Sequence, residues 1–303
     1  MAFEKRREFV FVYSVKDANP NGDPLNANHP RCDAETGQIL VSDVRIKRTI
    51  RDQWLREGLD VFVDGEAKTL KSRVEELKEK FGVKTGREAL ACCLDTRVFG
   101  VTFALENKES FSWTGPVQFK WGRTLHRAKA ELVQGTAAFA SKDDSEQRSF
   151  RNEYIVPFAL LGVYGIANQY PSRETGATEE DIDKISEGLW SGTINLITRS
   201  KIGHTPRLLL EITYKPGFCG AAGSLDEKLA LKSQDGNELT EDQELALRQP
   251  RDYVLDISRI NARLGQLANY IEEVRIWSDN ELKLRGLNEL EEQLGGKVSW
   301  QTR

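Results

Sequence analysis

Most of the groups that announce an enzyme are scarce in this 303-residue chain. Its three histidines lie far apart in sequence and offer neither a metal centre nor a compact acid–base set. Four cysteines, Cys32, Cys92, Cys93 and Cys219, match no metal-ligand spacing and no disulfide framework. The adjacent Cys92 and Cys93 read as a partly buried pair of small residues. No Gly-x-Gly-x-x-Gly follows the first strand and no Walker A sequence occurs, so the common dinucleotide and P-loop sites are excluded. Internal repeats and low-complexity tracts are missing. No apolar run could span a bilayer, and Met-Ala-Phe-Glu-Lys-Arg-Arg at the N-terminus lacks the apolar stretch of a secretory signal. A cytoplasmic protein with no membrane partner is expected.

Net positive charge is absent too: 43 Lys and Arg against 47 Asp and Glu leave −4. The charges that exist are segregated. Asp43 to Arg56 carries five Lys or Arg and two acids, and Val117 to Lys129 carries four and none. Ile197 to Arg207 holds Arg199, Lys201 and Arg207 without an acid, whereas Ala222 to Leu247 has seven acids and two lysines. Three basic stretches on an acidic chain suggest a positive groove; the alternative is three solvated faces that never meet.

The most informative stretch opens with Phe9 to Val15. Phe9, Phe11 and Tyr13 alternate with Val10 and Val12, as in a sheet strand. The turn-rich loop Ala18 to Pro24 follows, in which Asn19, Asn21 and Asp23 are suited to Asx-turns. A helix begins at Ser42 or Asp43, with Ile46, Ile50 and Trp54 on its core side. That spacing leaves Arg45, Lys47, Arg48 and Arg51 free to face an anion. Truncating Lys47 and Arg51 is therefore expected to weaken binding without unfolding the chain.

Further along, Val74, Leu77 and Phe81 mark a helical insertion within Asp60 to Lys84. Arg97 to Leu105 reads as a strand, and Ala130 to Asn152 as an exposed hairpin or long loop. Glu153 to Asn168 is a buried strand region in which Pro157 demands an edge, an irregularity or a strand start. Thr178-Glu179-Glu180-Asp181 is a capping box opening a helix to about Ile197, with Ile182, Ile185, Leu189, Leu196 and Ile197 as its apolar stripe. Pro206 to Tyr214 is a strand. Phe218 to Pro250 reads as a loop with at most a short helix, and Asp252 to Ile257 as a short strand. The last helix spans Glu281 to Leu294 and stops at Gly295-Gly296. This order predicts an α+β fold: an antiparallel sheet with helices on one side, compatible with a βαββαβ ferredoxin-like, RRM-like core.

Six segments in order carry a family resemblance: Asn19-Pro20-Asn21-Gly22-Asp23-Pro24, Pro30-Arg31-Cys32-Asp33-Ala34-Glu35-Thr36-Gly37, and Ser42-Asp43-Val44-Arg45-Ile46-Lys47-Arg48. Gly115-Pro116-Val117-Gln118-Phe119-Lys120-Trp121-Gly122-Arg123, Tyr154-Ile155-Val156-Pro157-Phe158-Ala159-Leu160 and Leu196-Ile197-Thr198-Arg199-Ser200-Lys201-Ile202-Gly203 complete the series. Over about residues 8 to 215 the chain resembles the backbone subunit of type I CRISPR effector complexes (Cascade), most like the type I-B branch. The resemblance implies an RRM-like palm formed by 1–57, 95–129, 153–215 and 251–277. It places a finger-like helical insertion at 58–94 and a thumb at 130–152, and leaves an acidic loop at 216–250 and a C-terminal helix at 278–303. It implies copies lined up along a guide RNA, presenting it for pairing with a target DNA strand beside other Cascade subunits, with no cofactor.

A subunit that serves any guide must grip phosphates and sugars and leave base edges free. The expected RNA contacts are Arg45, Lys47, Arg48 and Arg51, then Gln118, Lys120, Trp121 and Arg123, then Arg199, Lys201 and His204. Trp121 is either a stacking platform or a core tryptophan beside a turn. Arg199, Lys201 and His204 either meet RNA or cap the preceding helix. Related subunits of type III effectors cut RNA with an aspartate in the loop before the first helix. Near that place this chain has Asn28 and His29, with Asp23 and Asp33 nearby, so metal-dependent RNA cleavage is the alternative activity. A metabolic enzyme holding a phosphorylated substrate on Lys47 and Arg51 is a third reading.

Overall fold

In chain order the main elements are β1 (Arg7–Ala18), α1 (Asp43–Arg56), β2 (Val117–Phe119), β3 (Gly122–Thr124), β4 (Phe150–Ala167), α2 (Glu179–Ile194), β5 (His204–Tyr214) and β6 (Ile271–Ser278). They come from a computed structural model that describes residues 2–66, 68–105, 109–136 and 150–301. Phe9, Phe11, Tyr13 and Val15 turn to one side of β1, Val10 and Val12 to the other, and both sets are buried. A strand apolar on both sides needs cover on both.

The sheet supplies neighbours for β1 along both edges. β4 and β5 flank it antiparallel, so that Phe11 lies opposite Val163 on one side and Leu209 on the other. The full ten-stranded path runs Val298–Trp300, β6, β5, β1, β4, β3, Gln38–Val41 and Cys32–Asp33, with β2 and Glu131–Thr136 also pairing to β4. Val298–Trp300 is parallel to β6, which makes the sheet mixed.

On the first face α1 brings Ile46, Ile50 and Trp54, and α2 brings Ile182, Ile185 and Leu189. The expected caps form: Ser42 accepts from Arg45 N, and Thr178 and Asp181 exchange the two bonds of a capping box. Gly188 lets the helices approach closely, since a Cβ there would lie 2.6 Å from Ile50 Cγ2. α2 ends at Ile194, earlier than expected, so Leu196 is still buried but Ile197 is 71% exposed and outside the apolar stripe.

The second face overturns the expectation of helices on one side only. Val10, Val12, Leu208, Leu210 and Ile212 are covered by the C-terminal third of the chain. The stretch 218–250, expected as a loop with at most a short helix, has the short helix Glu241–Ala246 but also the strand Ala230–Lys232, and it buries Leu225, Leu229, Leu231 and Leu247. The helix Ser258–Gln266 belongs to the same layer, which packs also on Ile271, Val274 and Ile276 of β6, and the last α-helix is shorter than expected, Leu287–Leu294. Glu8, fully buried, fastens this layer: it accepts from both Tyr164 and Tyr214 hydroxyls, from Ala222 N at 2.7 Å and from Gly223 N at 2.8 Å.

Pro157 sits in mid-strand, with the predicted irregularity beside it. Asp17, with φ at +50°, drops out of the ladder between Lys16↔Phe158 and Ala18↔Val156, so the missing N–H of Pro157 is not called upon. Glu131–Thr136 pairs with the start of β4 as one arm of a hairpin; its expected tip, 137–149, lies outside the described residues. The insertion has a small core of its own, in which Val74, Leu77 and Leu90 meet Phe103 and Trp113. Its helix Leu70–Phe81 is as expected, while 97–99 close the helix Leu94–Phe99 and the strand begins at Gly100. No helix among the described residues is long and apolar enough to cross a membrane.

Candidate nucleic-acid interface

The loop after β1 is fixed from both ends. Asn21 Oδ1 accepts from Ser42 N at 2.8 Å and Ser42 Oγ at 2.9 Å, which ties the loop to the first turn of α1. Asn21 is thus a long-range tether, whereas Asp23 does form the expected local turn by accepting from Leu25 N at 3.2 Å. Asn19 Nδ2 donates to Asn28 O at 2.7 Å, closing the loop on itself.

The turn before β5 is zipped to the same loop. Lys16 N donates to Gly203 O at 3.1 Å and Asn19 N to Ser200 O at 3.0 Å. Gly203 has φ at +108°, and a Cβ there would lie 2.3 Å from Lys16 O, so only glycine permits this approach. Lys201 Nζ donates to the Asn19 and Pro20 carbonyls. Between the loop, α1, the turn and the base of the hairpin opens a cleft of about 470 Å³, lined by Asn19, Asn21, Asn28, Arg45, Tyr154 and Lys201 among others.

Two expected cations therefore share this cleft. Burial pushes the Lys201 ammonium down to about 8, with Arg45 adding repulsion, and burial also lowers Arg45 despite Asp52 at 3.7 Å. Glu153, the one acid on the lining, is paired with the exposed Arg199 at 2.8 Å. His204 is 8% exposed and burial holds it neutral, down to about 3. Its Nδ1 contacts Lys201 O at 2.6 Å and its ring stacks on Tyr13, so it braces the turn and is not a surface contact.

The other α1 cations are not free, contrary to expectation. Lys47 donates to Gln118 Oε1 at 2.9 Å and lies 3.4 Å from Asp43. Arg48 pairs with Asp52 and donates to the Val63 and Asp64 carbonyls at 3.1 Å. Arg51 donates to the fully buried Asp95 at 2.7 Å and lies over the Phe99 ring. Helical spacing identified the side of α1 that faces the sheet, but the insertion packs along its other side.

The group Gln118, Lys120, Trp121 and Arg123 lines other surfaces. Lys120 pairs with Glu227 at 2.6 Å and Asp226 at 3.0 Å, and Arg127 with Glu241 at 2.9 Å, so the acidic stretch meets the chain's own basic one. Arg123 pairs with Asp33 at 3.0 Å, and that contact is the first cause of a lowered Asp33 carboxyl. Gln118 Nε2 donates to Gly115 O. Trp121 is 46% exposed and so is no core tryptophan. Tyr154, Asn152 and Ser200 join the cleft without having been singled out; Tyr154 is half-buried, with the His29 ring edge-on at 4.7 Å. Among the described residues, no group of three or more His, Cys, Asp or Glu is placed to hold a metal ion.

Known proteins share this arrangement of chain. Residues 5–258 match the family described as CRISPR-associated protein Cas7. A CRISPR-associated protein Cas7 of Haloferax volcanii is 26% identical over 309 residues, spanning 92% of this chain and 88% of its own. A solved chain from a CRISPR RNA-guided surveillance complex, pre-nicking, superposes with a TM-score of 0.55 at 14% identity, covering 98% of this chain and 96% of that one. Another, from a CRISPR RNA-guided surveillance complex, gives 0.51 at 16% identity, covering 97% and 95%. These two are likenesses of fold. The family match takes in β1, the tethered loop, the cleft and both layers as far as residue 258, and on that ground the chain belongs to the Cas7 family of CRISPR-associated proteins.

Proposed function

We propose that the protein is a non-catalytic backbone subunit of a Cascade-type effector complex in CRISPR antiviral defence, of the type I-B branch and cytoplasmic. It grips the guide RNA by its sugar–phosphate chain and presents it for pairing with target DNA, beside further copies of itself and other Cascade subunits. The observation that carries this is the cleft: Arg45 and Lys201 converge on polar neutral groups, with the lining acid already paired to Arg199. Such a site suits a polyanion bound without base reading.

The strand order β5-β1-β4-β3, all antiparallel and crossed by α1 and α2, supports a ferredoxin-like, RRM-like palm. In this palm the sheet is covered on both faces, so RNA lies at the loop end, where the cleft is. The hairpin within 130–152 serves as thumb and the insertion beginning at 58 as finger. Asp23, bonded to Arg31, and Asp33, bonded to Arg123, are both engaged in their own turns, which favours a scaffold over an RNA-cleaving subunit.

The test is co-expression with the neighbouring genes and the guide RNA, followed by binding of single-stranded RNAs of different sequence. Co-purification with guide RNA is expected, with sequence-independent affinity. With about four phosphates neutralised, log K should fall against log[salt] with a slope near −3. A strong base preference or a flat salt response rejects the reading.

A further inference from the structure

Between β3 and the hairpin the chain leaves the ladder. Thr124 is paired with Leu161 and Glu131 with Ile155, so residues 125–130 bulge away beside 156–160 of β4. Three successive residues of the bulge are fixed to three different elements. His126 stands in for the missing ladder: its Nε2 accepts from Leu160 N at 3.1 Å, and its Nδ1 lies 2.7 Å from Arg127 O. A backbone amide can only donate, so the ring proton sits on Nδ1 and is given to Arg127 O. The ring is 3% exposed and stacks on Phe158. Arg127 N donates to Glu244 Oε2 at 2.8 Å, and Ala128 N to Gly37 O at 3.0 Å.

Glu244 lies on the helix Glu241–Ala246, which a capping box between Thr240 and Gln243 opens and the buried Leu247 follows. Its carboxylate reaches out of the acidic stretch to a backbone N–H at the hairpin root. Past Glu131 the entry arm pairs only with β4 among the described residues. A two-stranded ribbon twists readily, so its angle to the sheet is decided at the root. An arm whose direction is set in advance meets a partner without the cost of being ordered.

We propose that His126 and Glu244 are positioning residues for the hairpin: they clamp its entry arm at 126–128 and set the direction in which it leaves the sheet. The acidic stretch thereby acts as a brace for the hairpin. That the braced hairpin serves as a thumb rests on the role proposed above; the clamp itself does not.

The experiment places nitroxide labels at Gln134→Cys on the entry arm and Glu180→Cys on α2. The full chain carries Cys32→Ser, Cys92→Ser and Cys219→Ser so that no exposed native thiol is labelled. Pulsed double electron–electron resonance then reads the distance distribution. No RNA is present, so the outcome is separate from the salt and sequence test above. One narrow distance is expected in this background, and a broad one overturns the clamp. Glu244→Ala and His126→Phe should each broaden the distribution about twofold, since each leaves an N–H of the root without its acceptor. His126→Gln, whose amide oxygen can still accept from Leu160 N, should restore the narrow distance; a broad one there overturns the part given to the ring. Glu238→Ala, which removes an acid of the same stretch paired with Lys232, should change nothing. Equal broadening in Glu238→Ala, or none in Glu244→Ala, overturns the proposal even where His126→Phe melts early.

Discussion

Arg51 Nε donates to Asp95 Oδ2 at 2.7 Å, and Asp95, fully buried, also accepts from Phe62 N at 2.6 Å and Val63 N at 3.2 Å. This carboxylate joins α1 to the insertion. Arg51→Ala strips the charge from its side and leaves it with two amides. The expected loss is about 3 kcal/mol of stability, read by chemical denaturation. That corrects the expectation that Arg51 is a dispensable grip. A variant as stable as wild type would show the pair to be ornamental.

Lys201 should make RNA binding depend on pH. Its ammonium is lowered to about 8 in the fold, against 10.5 as the ordinary value. Affinity is expected to fall as pH rises from 7 to 9, and Lys201→Arg should flatten that profile because guanidinium stays charged. Stability moves the other way. Between about 8 and 10.5 the unfolded chain holds the proton and the folded one has released it, so this lysine makes stability rise with pH across that window. Paired binding and denaturation series at these pH values check both signs.

Two buried histidines set an acid limit. Burial lowers His126 to about 4 and His204 to about 3, from 6.5. Below 6.5 the unfolded chain takes up protons that the folded chain refuses, so stability is lost as pH falls toward 4. About two protons from these groups should be absorbed on unfolding at pH 5. Urea midpoints from pH 7 to pH 4.5 measure the slope, and a flat series would contradict it.

Glu8→Gln keeps the size of the side chain but turns one acceptor into a donor facing hydroxyl and amide hydrogens. A cost of about 2–3 kcal/mol is expected, with faster proteolysis around 218–232 than elsewhere. Uniform resistance to protease would mean the clasp does not hold the second layer.

How much was legible depended on the range of the cause. Ser42, the Thr178 box, the alternation of Phe9 to Val15 and the irregularity at Pro157 are dictated by neighbours in sequence, and each is found in the fold. The second layer was not legible, because Leu225, Leu229 and Leu231 sit among acids, and the sheet strand β6 that it covers interrupts its apolar residues with Glu272, Glu273 and Arg275. The apolar residues on both sides of β1 were the available sign that a second cover must exist. The candidate site was half legible: Arg45 and Lys201 were identified, and the acids Asp43 and Asp52 one helical turn from Lys47 and Arg48 were there to be read, but Gln118, the Val63 and Asp64 carbonyls and Asp95 come from segments that only folding brings near. Tyr154 joined the cleft through the pairing of β4, which no local pattern announces.

The place of β1 in the sheet also constrains the order of events during synthesis. Its two neighbours begin at residues 150 and 204, so Phe9 to Val15 leaves the ribosome long before either partner exists. For that interval an uncharged, β-prone segment waits unpaired, the condition under which strands of different chains find one another. The Glu8 clasp cannot close until residue 223 has been made. A chain cut short between 24 and 150 would therefore carry its stickiest strand with neither partner, and one cut between 167 and 204 would still leave an edge of that strand bare.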